Sequence, residues 1–126
     1  LPHNYTSPNC VVYTGTHDND TTLGWFLSTQ LDENTRDTVK RFANREMHDA
    51  SPINQDLIYL ALSSTASLAV IPLQDLLGFG SDCRMNIPST AQDNWRWRCA
   101  PENLNSGVAG RLREETLFYN RINKHL

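Results

Sequence analysis

A chain of 126 residues is long enough for one modest domain with a buried core, and a net charge of −3 gives no electrostatic case for nucleic acid or an anionic membrane. The three cysteines, Cys10, Cys83 and Cys99, are an odd number with no close pair. That argues against a disulfide framework or a zinc knuckle and fits reduced thiols in a cytosolic protein.

The first nine residues, with two prolines and small polar side chains, read as a loop. Residues 10–14, CVVYT, are β-branched and aromatic and predict a strand that Gly15 ends. Asp20 or Thr21 is placed to cap a helix running through Trp25, Phe26 and Leu27. Asp32 is placed to cap a second helix, ENTRDTVKRFAN, whose buried positions should be Val39 and Phe42. The pair Ser51-Pro52 marks a third helix start, followed by Ile53, Leu57, Leu60 and Ala61 at helical spacing. Residues 67–73, SLAVIPL, form a continuous apolar run of the kind found in a parallel strand buried on both faces. The wider uncharged stretch 57–73 is shorter than the roughly 20 residues of a membrane span. It also contains Pro72 and four Ser/Thr residues, so a buried helix followed by a strand fits it better. Residues 78–107 are a long irregular polar and aromatic segment. Residues 107–126 predict an amphipathic helix with Val108, Leu112, Tyr119, Ile122 and Leu126 near one face.

Strands separated by helices predict an α/β fold built of parallel units. Two strands leave a parallel sheet with unsatisfied edges, so the chain reads as a helix-rich piece of a larger domain, with residues 1–126 forming a single segment. In a β/α barrel the reacting groups stand just past the C-terminal ends of strands. His17 and Asp18 follow the first predicted strand, and Gln74 and Asp75 follow the second.

Three motifs in order, YTGTHDNDTTLGW (13–25), IPLQDLLGFGSDCRMNIPST (71–90) and NWRWR (94–98), resemble the 4-α-glucanotransferases of glycoside hydrolase family 77, the amylomaltases or disproportionating enzymes. The resemblance runs from about residue 8 to about residue 124 and concerns the C-terminal part of that family. It implies the last two or so β/α units of a (β/α)₈ TIM barrel. It also implies an enzyme that cleaves an α-1,4-glucan with retention and passes the segment to the 4-hydroxyl of glucose or another glucan. The family uses three carboxylates, and by the resemblance Asp18 is the third, the one that stabilises the transition state. By the resemblance His17 contacts the same sugar; Asn19, Gln74 and Asp75, at the two strand ends, are further candidate substrate-binding residues, with hydrogen bonding of loops at the rim as the alternative role of Gln74 and Asp75. No metal or other cofactor is expected. The expected partners are a maltodextrin or α-1,4-glucan and the remainder of the barrel, with no nucleic acid and no membrane. The expected location is the cytoplasm, or a plastid in a plant or alga.

The family's nucleophile and acid/base motifs are not found in these 126 residues, so the segment alone is expected to be inactive. Within RMNIPST, Ile87 stands where a more variable residue is expected and Ser89 where glycine is expected. NWRWR reads either as a sugar-stacking platform or as two tryptophans pinning the long loop, with Arg96 and Arg98 pairing with rim carboxylates. Two other functions compete with the enzyme reading. One is a metal-dependent phosphohydrolase using the His17-Asp18 and His48-Asp49 pairs, and the other is a glucan-binding or assembly module without chemistry.

Overall fold

The computed structural model describes residues 1–43 and 52–122. Seven regular elements carry the architecture: β1 (Val11–Tyr13), α1 (Thr22–Leu27), α2 (Glu33–Phe42), α3 (Ile53–Leu62), β2 (Leu68–Val70), α4 (Leu73–Leu77) and α5 (Ser106–Phe118). Short 3₁₀ turns at Pro2–Asn4, Ser81–Cys83 and Pro101–Asn103 complete the order. His48, Asp49, Ser51, His125 and Leu126 lie outside the described residues.

The two strands pair in parallel, with Val11 opposite Leu68, Val12 opposite Ala69 and Tyr13 opposite Val70. The three intervening helices make the long crossover that a parallel pair requires. Only Val12 of β1 is buried. It joins Ala61 and Ala66 in a core against which Cys10 and Ala69 pack. The expectation of a strand buried on both faces does not hold among the described residues, because Leu68 and Val70 are 53% and 38% exposed. The apolar run also divides. Its first half is β2, and Pro72, which lacks an N–H and has its φ already set near −60°, leads into α4. Gln74 and Asp75 therefore sit on a short helix that begins just past the strand.

Capping follows the sequence. The Thr21 hydroxyl accepts from Gly24 N–H at 3.1 Å, which settles the Asp20-or-Thr21 alternative in favour of Thr21. Asp32 accepts from Thr35 N–H at 2.9 Å and from the Thr35 hydroxyl at 2.7 Å. On α2, Phe42 is exposed, Val39 is half-buried and the buried residue is Lys40, a correction to the expected face. The cause is Phe26 of α1. Its fully buried ring has the Arg36 guanidinium 5.7 Å and the Lys40 ammonium 5.9 Å from its centre, so both cationic heads lie over an aromatic face.

Helix α3 is the hub. It packs against α1, α4 and α5, and it buries Ile53, Asn54, Ile58, Ala61 and Leu62, while Leu57 and Leu60 are half-buried. Helix α5 buries no residue. Val108, Leu112 and Tyr119 are half-buried, and Tyr119 meets Tyr59 of α3 edge to face at 5.6 Å. Beyond α5, Arg121 donates to the carbonyls of Leu62 at 2.7 Å and Ser64 at 2.9 Å, closing the C-terminal end of α3.

Two tests follow from these contacts. A Cβ at Gly24 would fall on the Ser81 hydroxyl and 2.6 Å from the Asp20 carboxylate, whereas one at Gly110 in α5 meets nothing within 4 Å. Gly24→Ala should therefore destabilise by about 1–3 kcal/mol, and Gly110→Ala should stabilise by about 0.5–1 kcal/mol. Melting temperatures of the two variants should move in opposite directions. The second test concerns Asp32, whose carboxyl is held below its ordinary value of 3.8, first by the Thr35 hydroxyl and then by the Thr35 N–H. A depressed carboxylate adds stability above its unfolded pKa and loses it as pH falls through the folded value. A carboxyl-¹³C titration should show Asp32 with a midpoint below 3.8, and Thr35→Val should move it upward.

Candidate active site

Residues 14–22 leave the end of β1, form a loop and enter α1. Within the loop a side chain closes a tight turn: the Asn19 carboxamide oxygen accepts from Thr16 N–H at 3.0 Å and from the Thr16 hydroxyl at 2.9 Å. His17 and Asp18 are the two residues at the tip of that turn. They face each other, His17 Nε2 to Asp18 Oδ2 at 3.2 Å, and both side chains are 54% exposed.

Two side chains from the segment after α4 complete the surroundings of Asp18. Asn86 donates from Nδ2 to Asp18 Oδ1 at 2.7 Å, and Arg84 donates from Nη2 to the Asp18 carbonyl at 3.2 Å. Each carboxylate oxygen of Asp18 thus has one protein partner. A carboxylate offers about four acceptor sites, so sites remain for hydroxyl donors from solvent or a ligand. Asn86 and Arg84 have no assigned role in the sequence reading. The signal for them is their place in the RMNIPST motif, 66 and 68 positions beyond Asp18.

A cleft of about 190 Å³ opens beside this tip. Thr16, His17, Asn19, Gln74, Arg84 and Met85 are among the residues that line it. Asp18 lies between two lining residues with its own side chain in solvent. On the outer side the Trp95 indole, 53% exposed, packs 5.0 Å from the His17 ring at a tilt of 42°. Trp95 has φ +63°, with Ser89 at +65° and Asp93 at +60° in the same loop. These are left-handed conformations that cost a non-glycine residue free energy. Ser89 is the position where glycine was expected. The loop holds its shape through Trp95 N–H on the Met85 carbonyl, Ile87 N–H on the Asn94 carboxamide oxygen and Asn94 Nδ2 on the Thr90 carbonyl.

Several side chains do other work than expected. Asp75 is 2% exposed, and both its oxygens have partners: Oδ2 accepts from the Thr14 hydroxyl at 2.7 Å and Oδ1 from Thr22 N–H at 2.8 Å. Gln74, 8% exposed, donates to the Cys83 carbonyl at 3.1 Å. These bonds fit the rim hydrogen-bonding alternative, and both residues also line the cleft beside the tip. Asp20 caps no helix; it accepts from Thr21 N–H at 2.7 Å and from the Ser81 hydroxyl at 2.8 Å. Arg96 pairs locally with Asp93 at 2.6 Å, and Arg98 donates to the Trp97 carbonyl, so among the described residues neither is paired with a carboxylate at the strand ends. Trp97 packs edge to face on Phe79 at 6.2 Å, as a loop-pinning tryptophan would. The Cys83 thiol has its pKa pushed up by burial and by the Asp82 carboxylate, so it is no activated nucleophile. Among the described residues no group of three or more His, Cys, Asp and Glu is placed to hold a metal ion, and no helix is long and apolar enough to cross a membrane.

Comparison with known proteins bears on this site. Residues 1–104 match the family model described as 4-alpha-glucanotransferase. A 4-alpha-glucanotransferase of Synechocystis sp. is 50% identical over 121 residues, covering 96% of this chain and 23% of that protein. The chloroplastic/amyloplastic 4-alpha-glucanotransferase of Solanum tuberosum is 45% identical over 126 residues, covering 97% of this chain and 21% of its own length. The solved structure of amylomaltase from Streptococcus agalactiae in complex with acarbose superposes with a TM-score of 0.87 at 33% identity, covering 98% of this chain and 24% of that one. The chain thus spans less than a quarter of the length of these curated relatives. With a family model matching residues 1–104 and relatives 45–50% identical over almost the whole chain, the chain belongs to the 4-alpha-glucanotransferase family, glycoside hydrolase family 77.

Proposed function

We propose that this chain is the C-terminal part of the (β/α)₈ catalytic barrel of a 4-α-glucanotransferase, and that Asp18 is its transition-state-stabilising carboxylate. The observation that carries the reading is the setting of Asp18. It is an exposed carboxylate just past the C-terminal end of a parallel strand, oriented by His17, Asn86 and Arg84 and still open to further donors.

The chemistry follows from that setting. Retaining transfer between α-1,4-glucans passes through an oxocarbenium-like state at the sugar's anomeric carbon. An ionised carboxylate that accepts from ring hydroxyls gains interaction energy as positive charge develops, so it acts on kcat more than on binding. The Asn86 amide fixes one oxygen and the His17 imidazole the other, which leaves the carboxylate little reorganisation to undergo during reaction. His17 flanks the same sugar. Asn19, whose carboxamide oxygen is engaged by Thr16, offers the sugar its NH₂. Trp95 stands beside His17 as an aromatic face for a neighbouring glucose ring.

The nucleophile and the acid/base come from other strands of the barrel in this reading. Support comes from the exposed apolar residues of the sheet, Val11, Tyr13, Leu68 and Val70, and from the groove of about 720 Å³ between β2 and α5. Both are surfaces that further barrel elements would cover. The reaction needs no metal, because acid/base and covalent chemistry suffice. The three unpaired thiols suit a reducing compartment, the cytoplasm or a plastid stroma.

In the complete enzyme Asp18→Asn keeps the shape and removes the charge. It should lower kcat by about 10²-fold or more, with KM changed much less. His17→Ala should be milder, and Asp20→Asn milder still, since Asp20 serves the Ser81 turn. Steady-state disproportionation of maltotriose measures all three. A near-normal kcat for Asp18→Asn beside a dead Asp20→Asn would show that the wrong acid of HDND has been assigned. Residues 1–126 alone should release no glucose from maltotriose, and turnover by a preparation free of longer protein would refute the division of carboxylates.

A further inference from the structure

We infer that Gln74 and Asp75, adjacent residues on α4, form a two-armed clamp that positions Asp18, with Asp75 closing the loop that carries it and Gln74 pinning the segment that holds it. The inference rests on the reading of Asp18 given above.

The first arm is the Asp75 carboxylate. Thr14 and Thr22 stand at the two ends of the loop 15–21, and one carboxylate binds both, the hydroxyl of Thr14 at 2.7 Å and the N–H of Thr22 at 2.8 Å. A loop whose ends are joined through one rigid planar group has little freedom to shift its tip, where His17 and Asp18 sit. The carboxylate is nearly inaccessible, at 2% exposure, so both bonds act in a low-dielectric setting where they are strong and where losing either is costly. Gly15 passes close to it, since a Cβ there would lie 3.5 Å from Oδ2. The clamp itself is anchored. Buried Asn54 of α3 donates to the Asp75 carbonyl at 2.8 Å, and Asp75 N–H donates to the Pro72 carbonyl at 3.0 Å.

The second arm is the Gln74 side chain. Its bond to the Cys83 carbonyl fixes the chain one residue before Arg84 and three before Asn86, the two residues that bind Asp18. The Phe79 N–H on the Gln74 carbonyl, with Gly78 at φ +71° making the turn, starts that segment in the required direction. The carboxylate and its two holders thus reach their common point from neighbouring residues of one short helix.

The test is a double-mutant cycle in the complete enzyme. Asp75→Ala and Thr14→Val should each lower kcat by about tenfold or more, with KM within about threefold, because a misplaced group forfeits transition-state rather than ground-state contact. Thr14→Ser, which keeps the hydroxyl, should return kcat to within about threefold of the parent. In an Asp18→Asn background Thr14→Val should cost less than about threefold, since nothing charged remains to be positioned. Thr14→Val keeps the shape of the buried site and decides the matter even where Asp75→Ala fails to fold. Losses of equal size in both backgrounds, or an unchanged kcat in folded Thr14→Val, would overturn the clamp and leave the role of Asp18 standing. A normal kcat for Asp18→Asn alone would sink the reading of Asp18 and the clamp with it.

Discussion

The carboxylate of Asp75 is bonded at one oxygen to Thr14, the residue just after β1, and at the other to the first residue of α1. Through its carbonyl it is bonded to α3, and through its own position it belongs to α4. Four elements therefore meet at one residue, whose carboxylate water scarcely reaches. Burying an unpartnered carboxylate costs several kcal/mol or more, so this arrangement is stable only while all of its donors are in place. The strand end, the helix start and the α3 amide are mutually required. That is why the loop between β1 and α1 can be polar, irregular and exposed at its tip without being loose.

The tip itself shows the opposite balance. His17, Asp18 and Trp95 are each more than half exposed, and the contacts among them are few and directional. The fold makes the base of the loop rigid and leaves the working end accessible, the division expected where a site must admit a large polar ligand and still hold its groups steady. The strained backbone at Ser89, Asp93 and Trp95 belongs to the same device. Three left-handed residues within seven positions are maintained by local hydrogen bonds and deliver an indole to His17.

Much of this was readable before any coordinates. The caps at Thr21 and Asp32, the hub helix starting near Pro52 and the strand pair flanking the helices all follow from local chemistry that acts within a few residues. What escaped depends on distance along the chain. For Asp75 the sequence leaves sugar contact and rim hydrogen bonding both open, because its chain neighbours say nothing of Thr14, 61 positions earlier. Asn86 lay in a recognised motif with no partner legible beside it. The run SLAVIPL concealed a change from strand to helix because apolar continuity has no period to separate the two. Lys40 was not among the expected buried positions, because nothing near it in the chain points to the Phe26 ring that its ammonium lies over. Ser89 went the other way: an expected glycine pointed to a backbone angle that the structure contains.

The bonds from Arg121 to the carbonyls of Leu62 and Ser64 span 59 and 57 positions of sequence. During synthesis the polypeptide leaves the ribosome N-terminus first, so α3 and β2 emerge well before the guanidinium that closes the helix end. In that interval the carbonyls of Tyr59, Leu60 and Ala61 can already take local donors from Ser63 and Ser64, and those of Leu62 and Ser64 wait for the guanidinium. This latch on the joint between α3 and β2 can close only once Arg121 has itself left the exit tunnel. A nascent chain arrested before residue 121 would present that joint to chaperones and proteases in an unlatched form.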